Sequence, residues 1–313
     1  MDVLIQSVFL VVGFVMLVKG ADWFVEGAGK TAERFGIPQL VIGLTIVAMG
    51  TSLPEAAVST SAALKGSAEI TIGNVVGSNI MNILLILGIT SVISPLAVQV
   101  STVRYEIPMV IAATALLGGL GLTDGNVGRI DGIILLAGMT LYLLYLLRMA
   151  RKGQAVIEGV EQTDKKESML KLLLLILIGG VLIVWGSDVT VNAATELARI
   201  FGMSERLIGL TIVAFGTSLP ELVTSVTAAL KGKADIAVGN IVGSNIFNIL
   251  FVVGIASVIT PVIYVPGFLI DTIVCLATAL LLWLCVLRKH KLMRHGGVLL
   301  LIAYAGYFVY LLR

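Results

Sequence analysis

The chain has 313 residues, of which 58% are hydrophobic and 13% charged, with a net charge of +2 and a mean hydropathy of +1.05. Soluble domains carry about a quarter charged residues, so this composition excludes an ordinary soluble domain and points to a chain that lives in the bilayer. The small net charge argues against nucleic acid as a partner, and recurring apolar runs of about 20 residues without period-two alternation predict helices rather than a transmembrane barrel.

In chain order, helical spans are predicted near 3–20, 38–65, 70–93, 103–122 and 128–148, and again near 170–192, 206–230, 235–259, 266–287 and 296–312. The first has neither a charged leader nor a small-residue cleavage site, so it is predicted to remain as a span. Between the two sets, Arg148 to Lys171 is the only long polar stretch, too short for a regulatory domain and read as a surface connection. Cys275 and Cys285 share one apolar segment and read as small core residues. His290 and His295 lie in a basic loop and read as solvated or lipid-facing rather than metal-binding.

An internal repeat organises the chain. A shift of 166 residues carries Gly36–Leu96 onto Gly202–Val262 without a gap, with roughly three-fifths of positions identical. Gly20-Ala21-Asp22 and Gly186-Ser187-Asp188 keep the same register. The predicted organisation is therefore all-α, with ten transmembrane helices in two five-helix repeats, 1–148 and 170–313, joined by a linker at 149–169. An odd number of spans per repeat inverts the second copy in the membrane, with the site between the halves. About 16 of the 21 Lys and Arg fall in loops after odd-numbered spans. The positive-inside rule then predicts a cytoplasmic linker and both termini outside the cell membrane.

The second predicted span contains Gly50-Thr51-Ser52-Leu53-Pro54-Glu55, and the seventh contains Gly216-Thr217-Ser218-Leu219-Pro220-Glu221. Each places a carboxylate inside an apolar span, at a cost of about 2.5–3.5 kcal/mol if uncompensated, so a cation, a proton or a water-filled cavity is expected there. Pro54 and Pro220 lack an N–H and open the helix, and the carbonyls freed around Gly50-Thr51 and Gly216-Thr217 need partners. The third and eighth spans carry polar stripes at four-residue spacing, Asn74, Ser78, Asn82 and Asn240, Ser244, Asn248. The paired Gly73/Gly77 and Gly239/Gly243 allow close helix approach. Asn79 and Asn245 fall off these stripes and read as packing or backbone-bonding residues. Asp22 and Asp188, near predicted span ends, read as helix caps or members of surface ion pairs. Together the Glu, Thr, Ser and Asn residues form an all-oxygen donor set with charge near −2, suited to calcium and sodium and less so to magnesium or transition metals.

The two GTSLPE segments and the two GN-x-V-GSN-I-x-N segments resemble the alpha-repeats of the sodium/calcium exchanger family, within the calcium/cation antiporter superfamily, in its prokaryotic form without a regulatory domain. The resemblance implies that calcium is bound by Glu55 and Glu221 with the backbone at Thr51 and Thr217. It implies sodium sites at Ser52, Ser78, Ser218, Ser244 and the Ala48 and Ala214 carbonyls, with Asn82 and Asn248 at the central polar position. It further implies alternating access, about three sodium ions per calcium, no cofactor beyond the transported ions and no obligate protein partner. Potassium-dependent relatives usually carry Asp where this chain has Asn248, and proton/calcium relatives carry an Asn-Ala-x-Glu pattern in place of Thr-Ser-Leu-Pro-Glu. Both features favour plain sodium/calcium exchange over those alternatives. A cation channel could use the same oxygens, but a broken inverted repeat favours a transporter. An intramembrane hydrolase lacks a histidine within a span to activate Ser52 or Ser218.

Overall fold

In the computed structural model, the described residues are 3–66, 69–157, 167–203 and 214–311. They form a helical membrane bundle. In chain order its helices are α1 Val3–Phe35, α2 Gln39–Thr51, α3 Leu53–Leu64, α4 Ile70–Ile93, α5 Thr102–Thr123, α6 Arg129–Ile157, α7 Met169–Ile200, α8 Ala214–Gly216, α9 Leu219–Leu230, α10 Ala234–Ile259, α11 Pro266–Leu287 and α12 Arg294–Leu311. Among the described residues eight helices are long and apolar enough to cross a membrane. The pair α2–α3, bent by 48°, makes a ninth candidate span, and α9 is a shorter apolar helix. Part of the predicted span 206–230 and the middle of the predicted linker, 158–166, lie outside the described residues, and α6 runs on into the first part of that linker.

The first and sixth predicted spans are too short. α1 has 33 residues and α7 has 32, so Asp22 and Asp188 sit inside long helices and neither acts as a cap. The apolar pattern continues past each Asp, and small residues let the two helices cross closely. A Cβ on Gly20 would meet the Gly179 carbonyl at 2.8 Å, and one on Gly186 would meet the Leu17 nitrogen at 2.8 Å. Side chains such as Val8, Val11, Val15, Leu177, Val181 and Trp185 stay exposed on the outside of this pair, which suits contact with lipid.

The centre of the bundle is built from α4 and α10. From Ile236 to Leu250 every residue of α10 is buried, so its hydrophobic pattern shows no face. Its Gly243 lies against α2, where a Cβ would come within 2.8 Å of the Leu44 backbone. Both helices widen into a π-turn after the last stripe asparagine, at Asn82–Leu87 and Asn248–Val253, and α2 does so at Gly43–Val47. π-turns loosen the backbone ladder and cluster at functional positions.

Two short antiparallel ladders depart from the all-helical expectation. β1, Leu96–Ala97, pairs with β4, Lys291–Leu292, so the basic loop expected at His290 is partly a strand. β2, Asn126–Val127, pairs with β3, Val262–Ile263. Each ladder ties a loop of one half to a loop of the other; the repeat shift carries β1 onto β3, and carries β4 onto β2 with an offset of one residue.

Candidate functional site

The α2–α3 break falls at Ser52, whose φ/ψ of −85°/10° leaves the helical region. Pro54 then lies in the first turn of α3, where a missing N–H is tolerated, and Glu55 lies in the same turn. Ser218, at −93°/5°, plays the same part before Pro220 and Glu221 in α9. Both carboxylates therefore sit at helix N-termini, where the backbone dipole favours negative charge. Both are fully buried.

Each carboxylate is held by the opposite repeat. Ser52 Oγ donates to Glu221 Oε1 at 2.8 Å, and Ser218 Oγ donates to Glu55 Oε1 at 3.2 Å. Ser244 Oγ lies 3.4 Å from Glu221 Oε1 and 3.3 Å from the Ala48 carbonyl. Its counterpart Ser78 is buried but makes no such bond among the described residues. Thr51 Oγ1 reaches Asn240 Oδ1 at 3.0 Å and the Val47 carbonyl at 3.1 Å. Thr51 also lies beside Glu221, and Thr217 beside Glu55. The two carboxylates are close enough to repel one another.

Asn74 and Asn240 serve their own repeats. Asn74 Nδ2 donates to the Glu55 carbonyl at 3.2 Å and to Ser59 Oγ at 2.9 Å. Asn240 Nδ2 donates to the Glu221 carbonyl at 3.4 Å and to Ser225 Oγ at 2.9 Å. They fasten the backbone that carries each carboxylate. Of the carbonyls expected to be freed, that of Gly216 is taken by Ser187 Oγ at 2.8 Å. That of Ala48 accepts Ser52 N at 3.1 Å.

Four acceptor oxygens in this region are buried without a donor: Glu55 Oε2, Glu221 Oε2, Asn82 Oδ1 and Asn248 Oδ1. Buried acceptors in native proteins are almost always paired, so four on matching positions of two repeats are suited to holding an electrophile. A hard cation is the chemistry they fit. Glu106, at the start of α5, is another buried carboxylate with an unpaired oxygen, but its Oε1 accepts the Tyr145 hydroxyl. In the second repeat Tyr307 of α12 donates likewise to Asp271 of α11, at 3.2 Å.

The structure thus gathers Thr51, Ser52 and Ser244 around Glu221, and Ser218 and Thr217 around Glu55, with each carboxylate bonded to a serine of the opposite repeat. It gives Asn82 and Asn248 the matching free oxygens, and places Ala214 in α8 by its backbone. Sequence reading missed Ser59 and Ser225, which follow the carboxylates by four residues, one helical turn. It also undervalued Asn79 and Asn245. Both make the backbone bonds expected of them, yet they also bond the side chains of Asn248 and Asn82.

The family model described as sodium/calcium exchanger protein matches residues 5–148 and 171–313. CaxA of Alkalimonas amylolytica is 41% identical, over 97% of this chain and 98% of its own length. Inner membrane protein YrbG of Escherichia coli (strain K12) is 38% identical, over 98% and 96%. The solved structure of the sodium-calcium exchanger NCX_Mj soaked with zero Na+ and Ca2+ superposes with a TM-score of 0.86 at 31% identity, covering 99% of this chain and 100% of that one. With a family match across both repeats, relatives aligned nearly end to end and a shared fold, the chain belongs to the sodium/calcium exchanger family.

Proposed function

We propose that this chain is a sodium/calcium antiporter of the cell membrane, and that sodium and calcium compete for the oxygens between its repeats. The observation that carries the reading is the set of four buried, unpaired acceptors on Glu55, Glu221, Asn82 and Asn248. Calcium takes 6–8 oxygens in flexible geometry. Glu55 and Glu221 supply the charge that balances it, with the Thr51 and Thr217 backbone beside them. Sodium uses Ser52, Ser78, Ser218, Ser244 and the Ala48 and Ala214 carbonyls. Asn82 and Asn248 contribute neutral oxygens at the centre.

Ten spans in two inverted repeats, 1–148 and 170–313, fit this mechanism, with α1 and α7 as the moving pair. Occupancy by cations cancels the carboxylate charge, which lets those helices slide across the site, whereas two bare carboxylates resist burial on either side. The basic residues favour a cytoplasmic linker at 149–169 and external termini. Each net charge moved per cycle is worth about 2.3 kcal/mol per 100 mV, so a negative interior drives calcium outward.

The test is calcium uptake into proteoliposomes driven by an outward sodium gradient. Uptake is expected in the unsubstituted protein and absent in Glu55→Gln and Glu221→Gln. Undiminished exchange in both variants, or uptake indifferent to sodium, would overturn the reading.

A further inference from the structure

Asn79 and Asn245 belong to no expected ligand set, yet they lie at the centre of the bundle with no exposed surface. Their bonds form a crossed brace. Asn79 Nδ2 donates to the Asn245 carbonyl at 3.0 Å, and Asn245 Nδ2 donates to the Asn79 carbonyl at 3.3 Å. Asn79 Oδ1 then accepts Asn248 Nδ2 at 3.1 Å, and Asn245 Oδ1 accepts Asn82 Nδ2 at 3.0 Å.

Amide orientation is fixed here by elimination. A backbone carbonyl only accepts, so the group that Asn79 turns to it must be its N–H. Its oxygen therefore faces Asn248, which must offer its own N–H in return. The Asn248 oxygen is left free, and it is one of the four unpaired acceptors. The same steps run from Asn245 to Asn82. Reversing either amide would set oxygen against oxygen at hydrogen-bond distance in a buried site, which costs the full desolvation of both groups.

The brace also discriminates between residue types. An ionised aspartate at 248 would place a carboxylate oxygen against Asn79 Oδ1, with no proton between them. A protonated aspartate would fit, because its O–H can donate to Asn79 Oδ1 and its other oxygen can point where the amide oxygen points now. We propose that Asn79 and Asn245 are positioning residues that aim one oxygen of Asn248 and of Asn82 into the ion site and hold that site at two carboxylate charges. They select a neutral donor at 248 and 82, and so match the site to one divalent cation or its monovalent equivalents. The choice of ions rests on the sodium/calcium reading; the orientation and the charge limit do not.

A double-substitution cycle tests this. Asn248→Asp, Asn79→Ala, the pair combined, and the unsubstituted protein are purified and compared from pH 6 to 9. The readouts are equilibrium binding of radioactive calcium in detergent and sodium-driven uptake in proteoliposomes. Asn248→Asp and the double variant carry the same three carboxyls, so the comparison between these two isolates the effect of the Asn79 oxygen. Asn248→Asp is expected to bind calcium within a fewfold of the unsubstituted protein in acid. It is expected to fall about tenfold or more behind it at alkaline pH, as the introduced carboxyl loses its proton. Adding Asn79→Ala removes the opposing oxygen, and the alkaline fall is expected to shrink to about threefold or less.

The proposal is overturned if Asn248→Asp follows the unsubstituted protein at every pH, or if the double variant keeps the full alkaline fall. If Asn248→Asp does not accumulate as monodisperse protein, Asn82→Asp with Asn245→Ala puts the same question to the mirror pair. Monodisperse single variants that bind no calcium at any pH also overturn it. Binding without sodium-driven uptake in the unsubstituted chain would instead remove the functional reading and leave the brace standing.

Discussion

The two ends of the proposed ion site are built from matching residues and yet differ. On one side α9 packs along α1, and Lys231, just past the end of α9, pairs with Asp22 at 2.6 Å. Lys231 Nζ also donates to the Asp22 carbonyl at 2.9 Å, and Lys233 Nζ to that of Val25 at 3.3 Å. Lys233 is half-buried in that contact, and burial holds its pKa below the usual lysine range. On the other side the repeat shift carries these residues onto α3, α7, Lys65 and Asp188. There α3 makes little contact with α7, and Asp188 and Lys65 form no ion pair among the described residues. A cavity of about 420 Å³ separates the two helices. Its walls include Pro54, Val58, Asp188 and Thr217, so it reaches the residue beside Glu55. A near-duplicate sequence has taken two conformations, one closed and one open, as the proposed alternating access requires.

The sharpest way to break this comparison is thiol labelling. Val58 lines the cavity, while its counterpart Thr224 is fully buried. With Cys275 and Cys285 replaced by Ala, Val58→Cys is expected to react with a membrane-impermeant maleimide on the order of 100-fold faster than Thr224→Cys. Equal rates would mean that the asymmetry does not persist in the membrane.

A smaller effect follows from the latch itself. The Asp22–Lys231 pair is partly exposed, with side chains 40% and 28% accessible, so it is worth about 0.2–1 kcal/mol. Asp22→Asn is therefore expected to slow labelling at Val58→Cys by at most about fivefold, by letting the closed side open and the open side close. An unchanged rate would remove the latch from the account. The smallest effect belongs to Asp188→Asn. With no partner to lose in this conformation, it is expected to shift thermal stability in detergent by less than about 0.5 kcal/mol. A loss as large as that of Asp22→Asn would show that the two sides are equally latched.

How legible this was in the sequence depends on the kind of interaction. Glu55 and Glu221 were visible because a carboxylate in an apolar run is costly, and the repeat doubled the signal. The bend at the second span was visible because Pro54 must leave a helix or begin one. The role of Asn79 and Asn245 was not, since helical spacing sorts residues into faces and α10 is buried all round. The long α1 was cut short because an aspartate within an apolar run looks like an end. Asp22 shows why that fails: its partner, Lys231, is far away in sequence and comes within reach only in the folded bundle. The difference between the two sides could not be read at all, because Lys65, Lys231, Asp22 and Asp188 are the same residues in both repeats. It is a property of the conformation.

The most direct test of the ion site is to locate an ion in it. Crystals grown without calcium and soaked in strontium, a larger divalent cation with a usable anomalous signal, are expected to show one strong peak. That peak should lie within coordination distance of Glu55 Oε2 and Glu221 Oε2, and disappear from Glu55→Gln crystals. A peak elsewhere in the bundle, or one that persists in that variant, would contradict the assignment.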